Sequence, residues 1–344
     1  MFLCEQVNKK FMKNTISPSL LLEVDRLKTW FSVKRGIISK TIGYIRAVDG
    51  VSLCIKPGEI LGLVGESGCG KTTLGRTITG LEKAYDGKIF FMGQNLLSLK
   101  QKEFSRIRSK IQVIFQDPMS SLNPRMNVLD IVTEGLMRFG MITASGREKH
   151  AKKLVCSVGL DENAVYRYPH EFSGGQRQRI NIARAVSLKP DLIVCDEPVS
   201  ALDVSVQAQI INLLMDLKDQ FNLSYLFISH DLSVAGNIAD TIAVMYLGKI
   251  MEKGPAASII KDPRHPYTKA LVSAIPKPGE TLPQNRRIVL KGEIPSPMNP
   301  PDGCRFHTRC HEYMKICSAQ EPVKTKSGQR SVWCHLYGSE IKDC

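Results

Sequence analysis

The chain has 344 residues, of which 43% are hydrophobic and 23% are charged. This length and this average composition exclude a miniprotein that needs disulfides, a fibrous repeat and a globally disordered chain. Lys and Arg outnumber Asp and Glu by 47 to 33, a net charge of +14. Such an excess suits an anionic partner, which could be a polyphosphate, nucleic acid or the inner-leaflet surface.

No segment has the features of a membrane span or an export signal. The longest stretch without Asp, Glu, Lys or Arg, residues 204–215, is shorter than the roughly 20 apolar residues that a spanning helix needs. The start, MFLCEQVNKKFMKN, is charged, and the leucines at 20–22 are too few for a signal-peptide core. We therefore expect a chain that stays in the cytoplasm.

The apolar pattern predicts strands and helices in alternation. Short strands are expected over residues 20–64, and the last of them, EILGLVG, is a continuous apolar run typical of a buried parallel strand. The later predicted elements are a helix at 71–80, a strand at 111–115, mostly helical structure at 126–172, buried strands at 191–196 and 225–229 with a helix between them, and a hairpin that turns at Gly248 before two short helices. Strand, helix and strand in one crossover predict a parallel α/β sheet.

A glycine-rich loop joins a predicted strand to a predicted helix. Its sequence, GESGCGKT at 65–72, fits the pattern G-x-x-x-x-G-K-[ST]. Glycines let the backbone curl so that consecutive N–H groups face a polyphosphate, and the helix N-terminus adds its dipole. We expect Lys71 to reach the β and γ phosphates of a nucleotide and the Thr72 hydroxyl to bind Mg²⁺. The predicted nucleotide-binding residues of the loop are Gly65, Glu66, Ser67, Gly68, Cys69, Gly70, Lys71, Thr72 and Thr73.

Such a loop alone permits kinases, GTPases, helicases and transporters, but two further segments narrow the choice. In LIVCDEP, Asp196 ends an apolar strand where a carboxylate can support Mg²⁺, and Glu197 follows it, directed at the γ-phosphate. The segment SGGQ begins an Arg-rich helix with a capping serine and two glycines, which predicts a second anion site. This second site consists of Ser173, Gly174, Gly175 and Gln176. Taken singly, either segment is also compatible with an ordinary turn or helix cap.

Taken together, the ordered motifs GESGCGKT, Gln116, SGGQ, CDEP, SALD and His230 resemble the ATPase subunit of ABC transporters. The longer stretches FQDPMSSLNPRM, YPHEFSGGQRQR, CDEPVSALDVS, HPYTKAL and GEIPSPMNPPDGCRFHTRC resemble the subset that powers oligopeptide, dipeptide and nickel importers, in its second, oligopeptide-F-like ATPase type. The resemblance covers residues 20–335. It implies an α/β P-loop NTPase fold with a RecA-like core sheet and an antiparallel β-subdomain, within an ABC ATPase domain at 20–275 that includes a helical subdomain at about 117–172.

In the family that this chain resembles, two ATPase domains pair head to tail and hold two ATP molecules between them. The resemblance implies that Gln116 contacts Mg²⁺ and senses the permease, and that Asp196 supports Mg²⁺. Glu197 would be the base that polarises the attacking water, and His230 would contact the γ-phosphate. Residues 173–176 would serve the nucleotide that the partner mainly holds.

The resemblance also implies an aromatic side chain that stacks on adenine. The family places it at Phe31, and Trp30 and Tyr44 are the alternatives. The implied partners are a second, related ATPase that makes a heterodimer, two membrane permeases and an external solute-binding protein. The chain would then be a peripheral subunit on the cytoplasmic face of the membrane that powers the import of peptides, with nickel or glutathione as alternative cargo. The helical subdomain would dock the permease.

No nucleic-acid partner is expected on this interpretation. The alternative function is that of a soluble ABC ATPase that acts in DNA repair or translation, which the net charge of +14 would also suit. Such proteins usually carry a long coiled-coil insertion or two ATPase halves in one chain. Here Gln116 and Ser173 are too close in sequence for such an insertion, and one set of motifs is present.

The C-terminal part of the chain, residues 276–344, differs in composition from the rest and predicts an irregular extension. Seven prolines lie at 276–301, and five of the ten cysteines lie in the last 41 residues. Without an export signal, a disulfide framework is not expected.

Four of these cysteines, Cys304, Cys310, Cys317 and Cys334, supply a set of thiolates that suits either Zn²⁺ or a [4Fe–4S] cluster. Four ordinary thiols are the remaining alternative. Some members of the importer subset carry an iron–sulfur cluster on a matching tail, so the resemblance favours [4Fe–4S]. His311 departs from the family pattern, because the chain reads RCH where RCP is usual. A structural role, fastening a Pro-rich tail, is expected for the site.

Overall fold

The structure is a computed structural model that describes residues 20–35, 40–275 and 288–338. Its strands, numbered in chain order, are β1 Leu22–Arg35, β2 Lys40–Ile55, β3 Ile60–Val64, β4 Asp86–Phe91, β5 Gln94–Asn95, β6 Ile111–Ile114, β7 Leu192–Asp196, β8 Ser224–Ser229, β9 Thr241–Tyr246, β10 Lys249–Pro255, β11 Lys324–Ser327 and β12 Arg330–Trp333. Its α-helices are α1 Lys71–Ile78, α2 Gln101–Ile107, α3 Pro118–Ser121, α4 Val128–Arg138, α5 Arg147–Ser157, α6 Gly174–Ser187, α7 Val204–Phe221, α8 Leu232–Ile238, α9 Ala256–Lys261, α10 Pro266–Ser273 and α11 Lys315–Ala319. Residues 276–287, at the start of the predicted C-terminal extension, lie outside the described residues.

Most strands join one mixed sheet of order β11-β12-β10-β9-β3-β8-β7-β6. Its centre is parallel, because β3 pairs with β8 and β9, and β7 pairs with β8 and β6. Every residue of β3, β7 and β8 is buried, which explains why these strands are continuous apolar runs in the sequence. The predicted parallel sheet is confirmed, and its pairing brings the carboxyl ends of β3, β7 and β8 to one edge.

A second, antiparallel sheet has the order β2-β1-β4-β5 and forms the predicted β-subdomain. β1 and β2 make a long hairpin whose register places Phe31 opposite Ile45 and Trp30 opposite Arg46. The buried side of this sheet shares a core with α1 and the central strands. The members of this core include Leu22, Val24, Val51, Leu53, Leu63, Leu74, Ile89 and Leu226.

The segment between β6 and α6 is mostly helical, as predicted. Short 3₁₀ turns at Ala144–Gly146 and Pro169–Glu171 stand where the sequence has polar residues or proline. The apolar side chains that join this segment to α6 are Val128, Val132, Val155, Ile180 and Ile182. In the segments that the structure describes, no helix combines the length and the apolar character needed to cross a bilayer.

The C-terminal extension is more regular than its composition predicts. β11 and β12 form a hairpin, and β12 pairs with β10, so the extension continues the core sheet. Gly328 has a φ of +59°, which fits the two-residue turn between these strands. Beneath the hairpin, the Glu252 carboxylate is 0% exposed and accepts hydrogen bonds from Arg330 and from the backbone N–H groups of Arg264 and His265. The sequence predicts an irregular extension, and the structure adds that β11 and β12 within it are regular strands.

Phe306 makes a second contact between the extension and the core. Its ring is 0% exposed, and its centroid lies 5.2 Å from the centroids of the Tyr246 and Tyr267 rings and 5.7 Å from that of His265. Edge-to-face and tilted contacts at these distances are the arrangements that aromatic pairs favour. The extension thus contributes a side chain to the core of the ATPase domain.

Replacing Phe306 by Ala is expected to lower the free energy of unfolding by about 3–5 kcal/mol, because a large buried ring leaves a cavity behind. Urea denaturation followed by circular dichroism measures the change. The matched control is Val323→Ala, since Val323 lies in the same extension with an exposed side chain and is expected to cost no more than about 0.5 kcal/mol. Equal effects of the two substitutions would contradict this packing.

Candidate nucleotide-binding site

The loop at 65–70 leaves the carboxyl end of β3 and enters α1. Gly70 has a φ of +107°, and a Cβ atom there would lie 2.0 Å from the carbonyl oxygen of Ala47. A Cβ atom on Gly65 would lie 2.1 Å from the carbonyl oxygen of Met245. No side chain fits at either position, so glycine is required for the loop to lie against β2 and β9. The loop consequently has a backbone curl of the kind that cradles phosphates.

An open cavity of ≈ 330 Å³ lies over this loop. The loop residues that line it are Ser67, Gly68, Gly70, Lys71, Thr72 and Thr73, joined by Ile45, Ala47, Gln116, Glu197 and Pro297. Lys71 is buried, and its ammonium donates hydrogen bonds to the carbonyl oxygens of Gly65 at 2.7 Å and Glu66 at 3.0 Å. An ammonium held at the floor of such a cavity can bind the terminal phosphates of a nucleotide.

Gly65, Glu66 and Cys69, which the sequence predicts to bind nucleotide, are not among these lining residues. The Cys69 side chain is buried beneath the loop, and burial raises the pKa of its thiol, with the Lys71 charge opposing the rise. The backbone of these residues shapes the loop, whereas the Cys69 side chain contacts Lys71 and the Glu66 side chain contacts Arg309.

Thr72 and Asp196 form the candidate Mg²⁺ corner. The Thr72 hydroxyl donates to Asp196 Oδ1 at 2.8 Å, and Asp196 is 4% exposed. Burial raises the pKa of the Asp196 carboxyl, so this group sits where a cation would stabilise its charged form. A hydroxyl and a carboxylate are the hard oxygen ligands that Mg²⁺ takes, so these residues fit the ion. When bound, Mg²⁺ would neutralise phosphate charge, and Gln116 is the third predicted ligand at this corner.

Glu197 is the centre of the candidate catalytic group. It has a φ of +48°, which is rare for a residue with a side chain and is typical of functional sites. Its Oε2 accepts a hydrogen bond from Gln116 Nε2 at 3.1 Å and lies 3.2 Å from His230 Nδ1. Because Gln116, Glu197 and His230 follow β6, β7 and β8, the parallel order of the sheet brings them together beside the loop. A carboxylate in this position can orient and polarise a water molecule.

The predicted second anion site lies elsewhere in the chain. Ser173 caps α6, since its hydroxyl accepts from the N–H of Gln176 while the Gln176 side chain accepts from the N–H of Ser173. Gly174 and Gly175 form the first turn of the helix. Among the described residues that line the cavity over the loop, none comes from 173–176. One chain therefore does not bring its two predicted anion sites together.

The β1–β2 hairpin separates the candidate aromatic residues onto two faces. Phe31 is 37% exposed and pairs across the hairpin with Ile45, which lines the cavity, so the two side chains share a face. Trp30 instead stacks on Tyr85 with ring centroids 4.4 Å apart, and Tyr44 packs against both rings. Of the three aromatic residues that the sequence predicts for adenine stacking, Phe31 has the face and the exposure that the role needs.

The four cysteines of the extension are near one another but do not form a ready ligand set. Burial raises the pKa of the Cys334 thiol to about 12 and that of Cys304 to about 11, and the neighbouring cysteines of the group add to both shifts. The N–H of Cys304 donates to the carbonyl of Cys317 at 2.8 Å. Within residues 20–35, 40–275 and 288–338, no three His, Cys, Asp or Glu side chains are grouped so that they could hold a metal ion. The thiol chemistry suits a metal, whereas the present side-chain placement does not form the site.

Three residues at the loop are absent from the sequence-based prediction. The Tyr267 hydroxyl accepts from the N–H of Glu66 at 2.9 Å, Pro297 lines the cavity, and Arg309 forms an ion pair with Glu66. In the sequence, these residues are marked only because they lie in HPYTKAL and GEIPSPMNPPDGCRFHTRC, two stretches that resemble the importer subset. No spacing rule links either stretch to residue 66.

Known proteins share both the sequence and the fold. Residues 48–200 match the family described as ABC transporter, and residues 251–317 match the one described as Oligopeptide/dipeptide transporter, C-terminal region. The chain is 50% identical over 322 residues to the oligopeptide transport ATP-binding protein AppF of Bacillus subtilis, covering 92% of this chain and 97% of that protein. It is 49% identical to the oligopeptide transport ATP-binding protein OppF of Escherichia coli, with coverage of 92% and 96%.

The dipeptide transport ATP-binding protein DppF of Haemophilus influenzae is 48% identical, with coverage of 88% of this chain and 92% of that protein. Among solved structures, the dimeric post-hydrolysis state of an ATP-binding cassette bound to ADP and Pi matches with a TM-score of 0.61 and 27% identity, over 68% of this chain and 98% of that chain. The fold and the loop define an ABC-type P-loop ATPase. More narrowly, the chain belongs to the family of oligopeptide and dipeptide ABC transporter ATP-binding proteins.

Replacing Phe31 by Ala is expected to weaken ATP binding by about tenfold, because a stacked aromatic contact of about 1.4 kcal/mol is lost. Isothermal titration of ATP into the purified protein measures the dissociation constant. Tyr44→Ala is the matched control, since Tyr44 lies on the other face of the same hairpin with similar exposure. A weakening by Tyr44→Ala in place of Phe31→Ala would show that a different ring stacks on adenine.

Proposed function

We propose that this chain is the ATP-hydrolysing subunit of an ABC importer that carries peptides across the cytoplasmic membrane. The observation that carries the proposal is the position of Glu197, which is joined to Gln116 and His230 at the edge of the cavity over the phosphate-binding loop. Its neighbour Asp196 accepts a hydrogen bond from the hydroxyl of Thr72, in the helix that follows that loop. A buried loop ammonium, an acidic corner and an oriented carboxylate are the groups that nucleotide hydrolysis needs.

In this proposal each side chain has a defined task. Lys71 binds the terminal phosphates, and Asp196 with Thr72 and Gln116 holds Mg²⁺. Glu197 orients the water that attacks the γ-phosphate, and His230 contacts the same phosphate while keeping the Glu197 carboxylate in place. The hydrogen bonds that join the Glu197 carboxylate to Gln116 and to His230 support this assignment, because a base must be held in one orientation to act efficiently.

We infer that the working unit contains two ATPase subunits arranged head to tail. Residues 173–176 do not line the cavity of their own chain, and the backbone N–H groups of Gly174 and Gly175 at the start of α6 suit an anion brought by another subunit. A related but different ATPase is the proposed partner. Binding of ATP between the two subunits would favour the closed dimer, and hydrolysis would release it.

The proposed assembly also includes two membrane permeases and an external solute-binding protein, with this chain peripheral on the cytoplasmic face. The named functions of the similar proteins, oligopeptide and dipeptide transport, favour peptides as the cargo over nickel or glutathione. The open groove between α4, α6 and the β6 strand is a suitable place for a permease helix, because Phe115, Ile131 and Phe139 line it. Cargo choice would lie with the permeases and the binding protein.

Glu197→Gln is expected to lower the ATP hydrolysis rate at least about a hundredfold while ATP binding persists, because the amide cannot accept a proton and the loop contacts are unchanged. Phosphate release measures hydrolysis, and isothermal titration measures binding. Lys71→Ala is the contrasting variant and should lose binding itself. Wild-type hydrolysis in the Glu197→Gln protein would contradict the assigned role.

The same Glu197→Gln protein tests the assembly, because it should remain closed on ATP with its partners. In a detergent extract with ATP it is expected to co-purify with two permeases and a second ATPase. Ribosomes or DNA in their place would support the soluble alternative. Labelled peptide uptake by vesicles that contain the purified complex identifies the cargo class.

We also propose that Cys304, Cys310, Cys317 and Cys334 together hold a [4Fe–4S] cluster, with Zn²⁺ as the alternative. Burial raises the pKa of the Cys304 and Cys334 thiols, and the neighbouring cysteines add to the rise. The proximity of these thiols supports the proposal, since the positive charge of a bound metal would stabilise their thiolate forms. The site would fasten the extension, and it plays no part in the hydrolysis proposed above.

Anaerobically purified protein is expected to be brown, with about four iron atoms per chain by elemental analysis. Cys334→Ser should lose the metal and lower the melting temperature, whereas Cys156→Ser, an exposed cysteine outside the extension, should change neither. One zinc per chain without iron would establish the alternative. A colourless wild-type protein that contains neither metal would overturn the proposal.

A further inference from the structure

A salt bridge joins the extension to the phosphate-binding loop. Arg309 Nη1 donates to Glu66 Oε2 at 2.6 Å, and Arg309 Nη2 donates to Glu66 Oε1 at 3.2 Å, so the guanidinium binds both oxygens of one carboxylate. The Arg309 side chain is 7% exposed. A bidentate and largely buried pair of this kind is stronger and more directional than a surface ion pair.

Arg309 is held in this position by its own segment of chain. It ends the 3₁₀ turn His307–Arg309, directly after the buried ring of Phe306. Its guanidinium also approaches Tyr246, with the ring centroid 5.8 Å away and the hydroxyl 3.5 Å from Nη1. Phe306 and Tyr246 belong to the same buried aromatic core. This core therefore fixes the segment that carries Arg309 beside the loop.

Glu66 is held at three points. Its N–H donates to the Tyr267 hydroxyl, its carboxylate binds Arg309, and its carbonyl accepts from Lys71. Lys71 is the residue assigned to the terminal phosphates. Glu66 therefore contacts both the extension, through Arg309, and the side chain that must reach the nucleotide, Lys71.

The salt bridge matters for nucleotide binding because Glu66 is negatively charged, as the phosphates are. Glu66 places a carboxylate in a loop that has to accept a polyphosphate, and like charges repel more strongly in a partly buried site than in bulk water. Arg309 neutralises this carboxylate without entering the cavity, since neither residue lines it. The contact of the extension continues at Pro297, which lines the cavity and whose carbonyl accepts from the N–H of Arg46 at 3.0 Å.

We propose that Arg309 is a positioning residue for ATP binding, which neutralises and fixes Glu66 of the phosphate-binding loop and thereby makes nucleotide affinity depend on the C-terminal extension. This inference rests on the proposed function, because it assigns a regulator to the same ATP site. Arg309 acts through Glu66 and does not touch the nucleotide.

The test compares the ATP dissociation constants of four proteins by isothermal titration: wild type, Arg309→Gln, Glu66→Gln and the double variant. Arg309→Gln leaves an unpaired carboxylate in the loop and is expected to weaken binding by about tenfold. Glu66→Gln removes that negative charge and should bind ATP at least as tightly as wild type. The double variant should recover to within about threefold of wild type, since charge neutrality returns.

A merely structural tether gives a different pattern, because either substitution breaks the same contact. Weakening by both single variants, with no recovery in the double variant, would overturn the proposal. Hydrolysis at saturating ATP should stay within about twofold in Arg309→Gln, since the effect is on binding and not on the chemical step. If Arg309→Gln does not fold, Glu66→Gln still shows whether removing the Glu66 charge keeps or weakens ATP affinity. Arg309→Lys keeps the positive charge while losing the bidentate geometry.

Lys269→Gln is the matched control, because Lys269 pairs with Glu312 of the same extension at 3.0 Å without contacting the loop. It should leave ATP affinity within about twofold of wild type, as expected for a partly exposed pair. Failure of wild-type protein to bind ATP would refute the proposed function itself. Unchanged affinity in a folded Arg309→Gln protein would refute only the inference drawn from Arg309.

Discussion

The parallel pairing of β3 with β8, and of β8 with β7, is the constraint on which the rest of the site depends. It sends three strand ends to one edge of the sheet, where the chain must leave each strand and turn. The glycine-rich loop, the Asp196–Glu197 pair and His230 each follow one of these ends. Their contacts across the site arise because the sheet places them side by side, although the chain separates them widely. Glu197 adopts its unusual backbone conformation within that arrangement.

Much of this arrangement could be predicted from the sequence, because the signals are local. Gly65 to Thr72 is a contiguous pattern between an apolar strand and a helix, and Asp196 ends a second apolar strand. The reason for each glycine could not be read in the same way. It lies in carbonyl groups of Ala47 and Met245 that approach the loop from other strands. The choice between Phe31 and Trp30 likewise needs the register of the β1–β2 hairpin, since adjacent residues point to opposite faces.

The extension shows where local signals fail. β11 and β12 have four residues each, and their place is set by the pairing of β12 with β10, which a composition rich in proline and cysteine does not reveal. Arg309 and Glu66 are 243 positions apart, so no periodicity or motif spacing connects them. A resemblance can indicate that such a segment belongs to a family, but contacts at this separation follow only from the three-dimensional packing. The same limit applies to the four cysteines, whose spacing suggests a metal while their placement leaves the site unformed.

The attachments of the extension to the ATPase domain are of two kinds. The pairing of β12 with β10 and the burial of Phe306 contribute to the stability of the fold. The salt bridge between Arg309 and Glu66 ends on the loop that binds phosphate, so its free energy changes whenever that loop changes. Coupling of this type is reciprocal by thermodynamic necessity. If the extension favours the loop conformation that accepts ATP, bound ATP must stabilise the extension by the same amount. An ordered C-terminal segment is then part of the nucleotide-bound state, and not only a support placed beside it.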